Sequence, residues 1–348
     1  MMHFLRSACL LIVLIPFMTA AQAQRPFKVA VAGFYNLENL FDTLDTEGVS
    51  DSEFTPAGPK KYNTAIYQDK LTRLATVISE MGTEISPDGP ALLGVSEIEN
   101  RSVLEDLARH PLIAKRQYQI VHYDSKDARG VDVALFYNPK YFTPDTSAAL
   151  FVELPGGSKD AYFTRDVLYV RGKLDGEPIH LYVNHWPSRS GGEKRSAPAR
   201  VAAATVCATH MRLVRKTDPQ AKILLMGDLN DDPINESVAE VISGRYTMEE
   251  TGKNDLYNPW YDLYKKGFGT LAYQDAWGLF DQILLSKPWL DKAQSGYFFY
   301  KPQIFRKEYM VENMGRYKGY PMRTWDGDMY RAGYSDHFPT YLVLLKRL

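Results

Sequence analysis

Apolar residues fall in this chain in short runs that stop abruptly at polar ones. Runs at residues 28–34, 91–95, 131–137, 179–183, 222–226, 280–285 and 340–345 are followed or preceded by turn-forming residues and predict β-strands. Several are apolar at nearly every position, the mark of strands covered on both faces. A different period separates the first two: Ile66, Leu71, Leu74, Ile78 and Met81 recur at helical spacing and predict a helix over residues 61–81. Residues 193–217 predict a second helix, entered near Pro198, and a shorter one is expected to start at Asn235. Successive strands are often joined by loops too short for a crossover, so the sheet is expected to be mixed rather than purely parallel. A layered α/β sandwich is the architecture that fits.

The first residues stand outside this pattern. Arg6 supplies a positive start, residues 8–18 form an apolar run, and Ala21-Gln22-Ala23 has the small-x-small form of a cleavage site, so residues 1–23 read as a secretory signal peptide. The run is short for a membrane span. Cys9 has Arg6-Ser7-Ala8 before it, where a lipid-attachment signal needs apolar residues, so the expectation is an exported, soluble protein. Cleavage would leave Cys207 alone, so core packing and metal, rather than disulfides, would stabilise the chain.

Residues 24–348 show no Pro/Ser-rich linker, charge block or repeat, and read as one domain. With 45% hydrophobic and 24% charged residues the composition is that of an ordinary globular protein. A net charge of −1 gives no overall pull on a polyanion, so any site for one must be a local patch.

Polar residues able to do chemistry collect where the apolar runs end. The first runs into Tyr35-Asn36-Leu37-Glu38-Asn39, the second into Ser96-Glu97-Ile98-Glu99, the fourth into Asn184-His185-Trp186-Pro187, and the fifth into Gly227-Asp228-Leu229-Asn230; the last is preceded by Ser335-Asp336-His337. One rim of a sheet can gather all of them. Asp228 can hold a divalent metal or take a proton from water, and Asn230, two residues on, can donate to a phosphate oxygen. Glu97 offers magnesium a hard oxygen ligand or simply meets solvent. Asn36 and Glu38 point to one face if the segment is extended. Asp281 is placed to fix one nitrogen of His337, which would raise the imidazole pKa and turn the other nitrogen outward, toward phosphate.

The order of these motifs resembles the endonuclease/exonuclease/phosphatase superfamily. Asn36-Leu-Glu38, Val95-Ser-Glu97, Val183-Asn-His185-Trp186, Gly227-Asp228-Leu-Asn230, Phe280-Asp281 and Ser335-Asp336-His337 carry the likeness across nearly the whole mature chain. The resemblance implies a four-layer sandwich of two mixed β-sheets packed face to face with helices outside. It also implies hydrolysis of phosphoesters by water with Mg2+ (or Mn2+). On this reading Glu97 is the principal metal ligand, assisted by Asn36 and Asp336, with Glu38 as a further candidate. Asp228 positions or deprotonates the attacking water, Asn230 holds a non-bridging phosphate oxygen, Asp281 orients His337, and His185 matches a histidine that the secreted deoxyribonuclease and sphingomyelinase branches place near the leaving group.

Arg129, Arg165 and Arg189 are the candidates for gripping substrate phosphate. Between Gly296 and Tyr334 aromatic residues interleave with Lys301, Arg306, Lys307, Arg316, Lys318, Arg323 and Arg331, a composition suited to nucleic-acid strands or to a packed accessory layer. Nucleic acid is therefore the expected substrate, with no membrane segment after signal cleavage and no obligate protein partner. A phosphatase or a sphingomyelinase-like phospholipid phosphodiesterase of the same superfamily is the alternative. The inositol-phosphate branch is disfavoured because Phe280-Asp281-Gln282 stands where that branch carries Cys-Asp-Arg. A non-catalytic exported binding protein is the alternative of another class, and it predicts missing ligands.

Overall fold

The computed structural model describes residues 27–156 and 163–348, so the signal-peptide expectation lies outside the described residues. In chain order the strands are β1 (Phe27–Leu40), β2 (Leu92–Ile98), β3 (Gln119–His122), β4 (Asp132–Tyr137), β5 (Phe142–Leu150), β6 (Val167–Leu174), β7 (Glu177–His185) and β8 (Ile223–Asp228). They continue with β9 (Gly244–Arg245), β10 (Leu256–Tyr257), β11 (Leu271–Tyr273), β12 (Ala276–Gly278), β13 (Asp281–Ser286), β14 (Phe298–Ile304), β15 (Trp325–Asp326), β16 (Met329–Tyr330) and β17 (Thr340–Arg347). The α-helices are α1 (Thr64–Glu80), α2 (Arg101–Arg109), α3 (Glu193–Thr217) and α4 (Tyr261–Lys265). Among the described residues no helix is long and apolar enough to cross a membrane.

Two mixed sheets hold most of these strands. The first has the order β14-β17-β1-β2-β4-β3 and the second β5-β6-β7-β8-β13-β10-β9. At the centre of each lies one parallel pair, β1 with β2 and β7 with β8, joined through a helix, while their outer neighbours run antiparallel. A parallel pair cannot be closed by a tight turn, and α1 and α3 supply the crossovers.

Alternation along β1 explains the layers. Ala30, Ala32 and Phe34 point into a core shared with Leu181, Val183, Leu224 and Met226 of the second sheet. Val31, Tyr35 and Leu37 point the other way, into a core with Leu71, Leu74 and Ile78 of α1 and Leu104 of α2. On the far side of the second sheet, Ile223 and Leu225 pack under Ala203, Ala204, Cys207 and Met211 of α3. Helix, sheet, sheet, helix is thus the order of layers, and the all-apolar runs are strands covered on both faces. Where the sheets meet, Gly94 lets the backbones close up, since a Cβ there would sit 2.6 Å from Met226 Sδ.

The helix expected from Asn235 is a single π-helical turn, Ser237–Val241. Asn235 instead accepts from Asp232 N at 2.8 Å and closes the loop in front of the turn. Residues 298–304 of the aromatic and basic segment form edge strand β14; of the rest, Phe305, Met310 and Trp325 are buried in the α1-side core as a packed layer, and Arg323 reaches the rim beside Asp336.

Candidate active site

The parallel pairs of the two sheets end on the same rim, and there the side chains converge. Strand pairing sets Asp228 opposite both His185 and Asp281, so register alone puts three site residues in one row of the second sheet. The first sheet contributes Asn36 from β1, Glu97 from β2, and Asp336 with His337 just before β17.

Glu97 is aimed by a distortion. Its φ is +58°, and the pairing of β2 breaks register with β1 beyond Asn36 and with β4 between Ser96 and Ile98. A bulge of this kind turns a side chain that strict alternation would send elsewhere, and left-handed backbone in a non-glycine residue carries strain that marks functional sites. Oε2 of Glu97 accepts from Asn39 N at 3.0 Å, which leaves Oε1 facing the site.

Asp228 is buried. Its Oδ1 accepts from Asn230 N at 3.0 Å and its Oδ2 from Asn36 Nδ2 at 3.0 Å. Burial pushes this carboxyl up from its ordinary value, to about 7, with His337 opposing and Asp281 and Glu97 adding to the rise. Next to it His337 Nδ1 lies 2.7 Å from Asp281 Oδ2, and Ser335 Oγ accepts from His337 N and donates to Asn36 O. Burial would lower the imidazole pKa, but the Asp281 and Asp228 carboxylates outweigh it and hold His337 well above its usual value. His185 goes the opposite way: burial first, then the charges of Arg165, Arg129 and His337, hold it well below the usual histidine value. The site thus pairs a charged imidazole with a neutral one.

Between the opposed groups a gap remains. His185 Nε2 is 3.6 Å from Glu97 Oε1 and 3.7 Å from Asp228 Oδ2. His337 Nε2 is 3.9 Å from Asp228 Oδ2 and 4.0 Å from Asp336 Oδ1. These separations exceed hydrogen-bond length and leave acids and bases of both sheets facing a common space. Asn230, with φ +49°, gives one amide hydrogen to Trp186 O at 3.0 Å and keeps the other.

The donors fit a hard dication. Glu97, Asp336 and the Asn36 carboxamide offer oxygen, the ligand type magnesium and manganese take, and the buried Asp228 carboxylate is an anion short of compensation. Asp228, Asp281 and His337 also form a group compact enough to hold a metal ion, although Asp281 Oδ2 is already engaged by His337.

Three expectations need correction. Glu38 does not share the face of Asn36, because the backbone is left-handed at Glu38 and Asn39, with φ of 48° and 56°. Its oxygens accept from Thr324 N and Trp325 N, with Lys70 buried alongside on Thr324 Oγ1, so Glu38 secures the 324–325 loop instead of facing the gap. Arg165 is buried and donates Nε to His185 O, Nη2 to Trp186 O and Nη1 to Asp127, which spends its fork on the protein. Arg189 is spent likewise, on Asn230 O, Glu193, Asp232 and Asn235, over the Phe280 ring. Arg129 alone of the three stays exposed, its Nε 3.7 Å from Asp127 Oδ1. Sequence reasoning also passed over Asn184, whose Oδ1 accepts from Trp186 Nε1 and so sets the strand end that carries His185; its place one residue before His185 was the available signal.

The sequence profile of the Endonuclease/Exonuclease/phosphatase family matches residues 30–346. The chain belongs to that family. It is a phosphoester hydrolase, and enzymes of this family depend on a divalent metal. A comparison with curated protein sequences returns no match. Among solved structures, an endonuclease/exonuclease/phosphatase family protein from Bacteroides thetaiotaomicron superposes with a TM-score of 0.56 at 16% identity, covering 93% of this chain and 97% of the other. A mannosyl-6-phosphatase from the same organism gives 0.55 at 16% identity, covering 90% and 99%. D. rerio TDP2, solved with a single-strand DNA product, gives 0.52 at 14% identity, covering 91% and 98%. At these identities the likeness is one of fold, and the fold is the two-sheet α/β sandwich of the family.

Proposed function

We propose that the protein is an exported phosphodiesterase that cuts nucleic-acid backbones, using Mg2+ or Mn2+ held by Glu97, Asn36 and Asp336. One observation carries this reading: Glu97, His185, Asp228, His337 and Asp336 follow one another in that order, each 3.6–4.0 Å from the next, across the gap from one sheet to the other and back. A dication bound there would supply charge for the oxygens of the scissile phosphate.

The chain's own groups account for the rest. Asp228 is fixed by Asn36 and by the Asn230 amide and presents a carboxylate whose raised pKa suits it to hold or deprotonate water. His337, kept charged by Asp281, faces the phosphate with Nε2 and stabilises the negative charge that grows on its oxygens. The free amide hydrogen of Asn230 does the same from the other side. Neutral His185 can accept a proton, or donate a hydrogen bond, beside the leaving group. Attack by water needs no covalent intermediate.

Support for nucleic acid comes from exposed Arg129 on one side and the aromatic and basic loops beside Asp336 on the other, since a diester substrate extends both ways from its phosphate. A phosphomonoesterase is the second reading, favoured by the likeness to a sugar phosphatase. Purified mature protein is to be incubated with plasmid DNA, RNA, sphingomyelin and a sugar phosphate, with and without Mg2+. Nicking only with metal is expected, and Asp228→Ala and His337→Ala should each lose about 100-fold or more in rate while keeping the wild-type circular dichroism spectrum. Turnover of the sugar phosphate with intact nucleic acid would replace this reading by the second, and metal-independent turnover would remove both. Export is checked by N-terminal sequencing of the protein recovered outside the cytoplasm, with a start after Ala23 expected.

A further inference from the structure

Beside the catalytic gap lies a pocket of about 240 Å3, walled on one side by the β11–β12 hairpin and on the other by the loop of residues 312–331. Three tyrosines, Tyr273, Tyr317 and Tyr320, and three arginines, Arg316, Arg323 and Arg331, line it together with the carboxylates Glu312 and Asp326, so cations outnumber acids by one. The volume is below the roughly 300–1,000 Å3 of sites that enclose a whole ligand, so the pocket suits one unit of a longer one.

Two routes tie it to the chemistry. Arg323 Nη2 lies 3.3 Å from Asp336 Oδ2, and the other oxygen of Asp336 is the one 4.0 Å from His337 Nε2. On the hairpin, Trp277 packs on Tyr320, centroids 5.9 Å apart, and on Phe338 at 6.3 Å, the residue after His337. Phe338 N also donates to Thr270 O at the foot of the hairpin. The pocket therefore keeps a fixed place beside the reacting centre.

Its surface is prepared for a planar, negatively charged unit. Tyr273 is 71% exposed at the end of β11. The turn after it is held in left-handed backbone at Gln274 and Asp275, and Tyr320 Oη donates to Asp275 Oδ1 at 2.7 Å and accepts from Asp275 N at 2.6 Å. An exposed aromatic ring beside an anchored turn is a stacking platform. Arg331 is paired with Glu312 and Arg323 with Asp336. Arg316 is exposed, rests near the Tyr317 ring at 5.7 Å, and has no carboxylate partner among the described residues. Its fork is free for a phosphate.

We propose that this pocket is the subsite for the nucleotide next to the scissile bond, its base stacked on Tyr273 and Tyr317 and its phosphate on Arg316. The assignment rests on the nucleic-acid reading above and deepens it. Tyr273→Ala and Arg316→Ala alter exposed side chains, so both variants should melt with the wild type. On a single-stranded oligonucleotide with Mg2+, Tyr273→Ala should raise KM about fivefold or more with kcat unchanged. An oligonucleotide with an abasic residue beside the cleaved bond should cost the wild type at least the same factor and cost Tyr273→Ala less, because only the Tyr317 stack is then left to lose. Arg316→Ala should lower the slope of log KM against log salt by about one. Equal KM values for wild type and variants on an oligonucleotide that the wild type does cleave would overturn the subsite and leave the nuclease reading in place. A wild type that hydrolyses a sugar phosphate and no oligonucleotide would overturn both.

Discussion

His337 is asked to stay charged in surroundings that disfavour charge. Burial by itself would neutralise it, and the two carboxylates against its two nitrogens reverse the outcome. A histidine whose folded pKa is raised stabilises the protein fully below the unfolded value near 6.5, and the contribution is lost as pH climbs through the folded value. Asp281→Asn removes the main source of that rise. The His337 imidazole, followed by NMR, should then titrate at lower pH, and the alkaline limb of the pH–rate profile should move down with it. An unmoved limb would show that another group carries the proton. At this scale the sequence was informative about identity and silent about aim. Asp281 and His337 could be paired from their neighbours, whereas nothing in Ser96-Glu97-Ile98 announces the bulge that turns Glu97 toward the gap.

Elements decide which of the candidate cations reach a ligand. Arg165, just before β6, reaches across to the carbonyls of His185 and Trp186 at the end of β7 and to Asp127 in the loop before β4. It binds loops of both sheets together from beneath the site. Both members of its ion pair are nearly inaccessible, at 3% and 2% side-chain exposure, and removing one partner of a buried pair strands the other. Arg165→Ala should therefore lower unfolding stability by about 3–5 kcal/mol, read from urea denaturation. A loss within about 1 kcal/mol, the worth of an exposed pair, would return Arg165 to the list of groups available to substrate. Sequence shows only that an arginine sits beside a strand. A side chain of that length reaches inward or outward equally well, and the choice belongs to whichever carbonyls the fold leaves open. Glu38 was misplaced for a related reason, because two left-handed residues cancel the alternation on which its face was assigned.

Across the whole molecule, the sandwich was readable because its central strands are all-apolar runs and its site lies where those runs end. The edges were not. β5 opens Phe-Thr-Pro-Asp-Thr-Ser and turns apolar only at Ala148-Ala149-Leu150, and β14 carries Lys301 and Pro302, a composition that edge strands accept because one side of the ladder is unpaired. The short helix α2 buries only Val103, Leu104 and Leu107, too few for a period to show. The division of labour between the sheets has one more consequence. Asn36, Glu97, Asp336 and His337 belong to one sheet, while His185, Asp228, Asn230 and Asp281 belong to the other. Anything lodged between them acts as a rivet through both plates of the sandwich and binds only while the plates are aligned. Mn2+ with inorganic phosphate at about 100 times its dissociation constant should then protect against heat by about 2.7 kcal/mol, visible as a rise in melting temperature that EDTA abolishes. A melting temperature indifferent to both would mean that the plates are fastened elsewhere; the expected rise would make this an enzyme whose resistance to heat grows with the occupancy of its own working cleft.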